Sequence, residues 1–143
     1  MKIKTVIITV SMTFLVCMAL NGVFHVLIMG NYFNEAFSPF KNKVNKIADS
    51  NPVWQLATEI IWVSALFYLL SYRAGPKIST RHAIIGGMLM NAAVSGTWNF
   101  INASLFNAFP RSIILPDMAF HIVIIGSMSG FLIAFLYNKL ERK

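Results

Sequence analysis

Charge is scarce in this sequence, and negative charge scarcest: Glu35, Asp49, Glu59, Asp117 and Glu141 are its only acids in 143 residues. Charged residues of both signs make up 12% of the chain, about half the share usual in a soluble domain, so this is membrane composition. Cysteine occurs once, as Cys17, which excludes an intrachain disulfide and any metal site built on a cysteine cluster. The thiol sits in the middle of an apolar run, where a buried cysteine is inert. There is no nucleophile–base motif, no phosphate-cradling glycine loop and no HExxH-type pair, which makes an enzyme the weakest class. The formal net charge of +7 invites a nucleic-acid partner, but the basic residues sit at the ends of apolar runs and between them. That is how topology signals and contacts to anionic lipid are distributed, and no basic helix or aromatic–basic array accompanies them.

What the chain has instead is apolar length. Four stretches, about 6–29, 52–72, 83–106 and 113–137, are each long enough for a membrane-spanning helix of roughly 20 residues. They leave no room for a second domain, so residues 1–143 are expected to form one all-α, up-down, four-helix integral membrane bundle. The first run continues through Val23 to Met29, too long for the apolar region of a signal peptide, and is read as a retained span. Between the first two runs, Phe33, Phe37, Phe40, Val44 and Ile47 recur every three or four residues, the pattern of an interfacial helix in the first outer loop. Pro52 suits the first turn of the second helix, and the segment from Arg73 to Lys77 stops it. Lys2, Lys4, Arg73, Lys77, Arg81, Lys139, Arg142 and Lys143 fall on one side of the four runs, against Lys41, Lys43, Lys46 and Arg111 on the other. Both termini are therefore expected in the cytoplasm.

Polar residues interrupt all four runs. Asn21 and His25 lie in the first, Glu59 in the second, Asn99 and Asn102 in the third, Asp117 and His121 in the fourth. At 1.5 Å of rise per residue all seven fall roughly 6–12 Å from the outer end of their span. Helical spacing gives them faces: Thr13, Cys17, Asn21 and His25 step by four, as do Asn91, Ser95 and Asn99, with Asn102 three further on. Gly126 and Gly130 form a small-residue pair on nearly the opposite face from Asp117 and His121, suited to close helix approach, including that of a second copy.

Ionisable groups inside a bilayer are costly, so each needs a partner, water or a function. Bland roles compete at every position. Asp117 follows Pro116 and can serve the dipole of the first helical turn. His25 can meet headgroups. The asparagines can act as interhelical hydrogen-bond glue. Trp54, Trp62 and Trp98 fit an interface belt. Glu59 is hardest to dismiss, because a carboxylate two turns into a span needs a cationic or hydrogen-bonding neighbour. His25, His121 and Arg111 are the candidates.

The segment Thr97-Trp98-Asn99-Phe100-Ile101-Asn102, then Phe109-Pro110, then Leu115-Pro116-Asp117-Met118-Ala119-Phe120-His121, resembles a bacterial family of small predicted membrane proteins, domain of unknown function twenty-one seventy-seven. Asn102, Pro110, Asp117 and Ala119 match its pattern. Asn99 stands where that family has Asp, His121 where it has Gly, and Asn21-Gly22 where an Asp-x-x-Trp pattern is usual. The resemblance implies a four-helix protein of the bacterial inner membrane and supplies no activity.

Three functional classes remain. One is a small transporter, or a subunit of one, taking a proton-coupled or cationic solute at Glu59, Asp117, His121 and His25, with Asn21, Asn99 and Asn102 lining the pocket. Four spans are too few to enclose a wide pathway, so this version calls for a homo-oligomer or a larger membrane complex. The second is a metal or haem subunit using His25, Glu59, Asp117 and His121. The third is an accessory or assembly protein in which these contacts only specify helix pairing.

Overall fold

The computed structural model describes residues 2–38, 52–72, 77–105 and 110–141, and every regular element among them is helical. Helix α1, Ile3–Gly22, runs without interruption into a π-helical segment, Val23–Ile28. Met29 then turns the chain into α2, Gly30–Phe37. The second half of the expected interfacial helix, with Phe40, Val44 and Ile47, lies outside the described residues. Helix α3 is Pro52–Tyr72 and α4 is Thr80–Leu105. The last run is composite: a 3-10 turn, Arg111–Ile113, then α5, Ile114–Ala119, a second π-helical segment, Phe120–Gly126, and α6, Ser127–Glu141. Two helical runs, Ile3–Ile28 and Arg111–Glu141, are long and apolar enough to cross a membrane. The apolar part of α3, Leu56–Tyr72, is shorter. Asparagine, serine, threonine and glycine dilute α4.

The closest packing joins α4 to the last run. Gly126 and Gly130 face Ala83 and Gly87: a Cβ on Gly87 would land on the Gly126 carbonyl, and one on Gly126 would come within 2.7 Å of the Met88 Cα. One on Gly130 would meet the Ala83 carbonyl. The small-residue pair in the sequence is thus engaged within the chain, where it lets two backbones approach to contact. Helix α1 packs on α6 and α3, and the buried core gathers Cys17, Val63, Leu66, Phe67, Ile125, Ile133 and Tyr137. At the far end from the polar residues, Asn138 clamps the start of α4: its Oδ1 accepts from the Ile78 amide and its Nδ2 donates to the Ile78 carbonyl, both at 2.8 Å.

Polarity is arranged outside-in. Thr5, Thr9, Thr13, Asn91, Ser95, Asn99 and Ser129 are buried, whereas Ile7, Leu15, Ile61, Leu69, Leu89, Val123 and Phe135 are exposed. All four long runs show an apolar outer face, which suits a lipid surround and not water.

Candidate functional site

Both histidines of the candidate set sit in the two π-helical segments, His25 in Val23–Ile28 and His121 in Phe120–Gly126. A π turn shifts amide donors one carbonyl further back and is kept mostly where it aims a side chain. Each histidine ring turns to the carbonyl four residues before it. Nδ1 of His25 lies 3.1 Å from the Asn21 carbonyl, and Nδ1 of His121 lies 2.9 Å from the Asp117 carbonyl. The segments face each other: Phe24 stacks on Phe120 with ring centres 3.8 Å apart, and the two imidazole centres are 5.6 Å apart. Phe33 of α2 stacks on His25 with ring centres 5.2 Å apart.

Asp117 is the hub. Its Oδ1 is 2.9 Å from Nε2 of His25 and 3.4 Å from Nδ1 of His121. Its Oδ2 accepts from Nδ2 of Asn99 at 2.7 Å, and Asn99, itself buried, is anchored by donating to the Ser95 carbonyl at 3.0 Å. The first-turn position of Asp117 in α5 therefore does not account for its contacts, which reach two other helical runs. Glu59 forms a second group beside the first. Nδ2 of Asn21 donates to its Oε1 at 2.6 Å and Nε1 of Trp62 donates to Oε2. The direct hydrogen-bond partners are thus Asn21 and Trp62, in place of the expected His25, His121 or Arg111. Arg111 is exposed.

Six of the seven residues share this centre. Asn102 does not: its Nδ2 donates to the Trp98 carbonyl one turn back, on an exposed stretch. Trp62, expected in an interface belt, is buried and belongs to the site. Its position three residues after Glu59 was the available signal, since residues at that spacing share a helix face.

The donor–acceptor balance is informative. A backbone carbonyl only accepts, so Nδ1 of His25 carries a proton. Nε2 then confronts an oxygen of Asp117, so either a second proton on the imidazole or a cation has to lie between the two. Among the described residues no lysine or arginine pairs with Asp117 or Glu59. Oδ1 of Asn21 is buried with no partner and adds another acceptor. For a metal ion, the ligand atoms of His25, Asp117 and His121 lie within 4.8 Å of one another; Glu59 is not in that group.

Almost wholly helical among its described residues, apolar outside and polar within, the chain is a membrane protein by class. It belongs to the family described as Predicted membrane protein (DUF2177), whose model matches residues 6–134. No curated protein and no solved structure matches it.

Proposed function

We propose that this chain is a four-span integral membrane protein of the bacterial inner membrane, both termini cytoplasmic, whose outer-half polar centre binds a small cationic solute. The observation that carries the reading is the pairing of His25 with Asp117 beside Glu59. Two carboxylates sit among helices with apolar outer faces, and no lysine or arginine among the described residues neutralises them. A carboxylate in such a setting requires compensating positive charge, from protonated His25 and His121 or from a bound cation. The exposed apolar faces of α3 and α4 support four spans, two of which, among the described residues, are long and apolar enough by themselves. Reporters fused near residue 75 and near residue 108 should lie on opposite sides of the membrane, and finding them on the same side would overturn that topology.

Thermal unfolding of the detergent-purified full chain tests the binding reading. A panel of alkali, divalent and small organic ammonium cations should contain at least one that raises the Tm of the wild-type chain and leaves Asp117→Asn unmoved. A panel in which no cation separates the two proteins would remove the reading and favour helix pairing as the sole role of these contacts.

A further inference from the structure

We infer that the centre is a site for a divalent first-row transition-metal ion, held by Nε2 of His25, the Asp117 carboxylate and the His121 imidazole. This rests on the cation-binding reading above and names the class of cation. Three features converge on a metal in place of an organic ion.

The first is the orientation of the histidines. A metal-ligating imidazole commonly donates its other N–H to a carbonyl or carboxylate, which fixes the tautomer and aims the free nitrogen. His25 does this through Nδ1 to the Asn21 carbonyl, leaving Nε2 pointed at Asp117. In His121 the nitrogen beside Asp117 is Nδ1, 2.9 Å from the Asp117 carbonyl and 3.4 Å from its Oδ1.

The second is distance. Bonds of about 2.0–2.1 Å to a tetrahedral ion put neighbouring ligand atoms about 3.3 Å apart. His25 Nε2 and Asp117 Oδ1 are 2.9 Å apart, and the three ligand atoms lie within 4.8 Å of one another. No pair has to close by more than about 1.5 Å to reach that geometry. Two imidazoles and one carboxylate suit zinc or ferrous iron and leave coordination positions open.

The third is support around the ligands. Asn99 holds Oδ2 of Asp117, so that Oδ1 is presented to the histidines. Phe24, Phe33 and Phe120 wall the imidazoles. Glu59, fixed by Asn21 and Trp62, supplies a second negative charge nearby, so that two carboxylates match one dication. Haem fits less well: Asp117 Oδ1 lies 2.9 Å from His25 Nε2, in the position that a porphyrin iron would need.

The test uses the full chain, purified in detergent and stripped with chelator. Equilibrium dialysis against Zn2+ with elemental analysis should give one ion per chain, and Co2+ should give the visible absorption of a low-symmetry site. His25→Gln and Asp117→Asn should lose affinity at least about 100-fold, whereas Asn99→Ala, which removes a positioning residue, should lose about 10- to 100-fold. His121→Cys keeps a ligand at that position, so it should retain the ion and add a sulfur-to-cobalt charge-transfer band. That gain of signal does not depend on how well the loss variants fold. Wild-type protein that binds neither Zn2+ nor Co2+, or binds them unchanged in His25→Gln and Asp117→Asn, would overturn the metal assignment. If an alkali or ammonium ion still stabilises the chain through Asp117, the broader cation reading survives that loss. If no cation does, both fall.

Discussion

His25 shows how much one residue's hydrogen bonds can constrain. Its Nδ1 is committed to a carbonyl of its own helix and its Nε2 to a carboxylate of another, so the ring is held at both ends. Glu59 is held in the same manner, with one donor on each oxygen. Trp62 supplies one of those donors from the same helix face, and it is buried. Trp62→Phe keeps the ring and removes the N–H, leaving a carboxylate oxygen short of a charge-assisted bond. Its expected cost is about 1.5–3 kcal/mol in thermal or denaturant unfolding, while a substitution of exposed Trp98 to Phe should cost far less. Equal, negligible effects at both positions would return Trp62 to the interface belt.

At the level of elements, the π-helical segments and the glycine contact work together. Gly87, Gly126 and Gly130 bring α4 against the last run, and that approach sets Asn99 opposite Asp117. Gly87→Ala places a methyl where the Gly126 carbonyl already lies, so one helix has to shift. A loss of about 1–3 kcal/mol is expected, with weaker cation binding alongside, because the same shift separates Asn99 from Asp117. Unchanged stability in Gly87→Ala would contradict the close approach. The limits of α3 coincide with the apolar run 52–72, while α1 with its π extension starts three residues before the run 6–29 and ends one residue short of it. These were legible because apolar length and flanking turns set them. The π segments were not, since one extra residue in a turn leaves an apolar run looking the same in sequence. Neither was the partner of Gly126 and Gly130. A small-residue pair shows that something comes close and does not say whether it is another helix of the chain or a second copy.

Across the whole molecule, shared depth gathered most of the candidate residues, and what depth left open was rotation and register between helices. Asn102 has the right depth and the wrong face, so it stays with Trp98 on an exposed stretch. Glu59 had the right need for a partner, but that partner came from the first helical run as Asn21 and from its own as Trp62. Burial alone does not distinguish the two uses of a polar interior. Thr5, Thr9, Thr13, Asn91, Ser95 and Ser129 line the interior as well, and the cluster of His25, Glu59, Asp117 and His121 lies at the end where the two π segments meet. The proposed cation binding rests on that cluster. The nitrogen-15 spectrum of histidine-labelled protein in lipid, with His25 assigned by His25→Gln, tests it most directly. The account predicts a protonated Nδ1 on His25 and an Nε2 resonance that moves when the stabilising cation is added. An unprotonated Nδ1, or an Nε2 resonance indifferent to every cation tried, would contradict it.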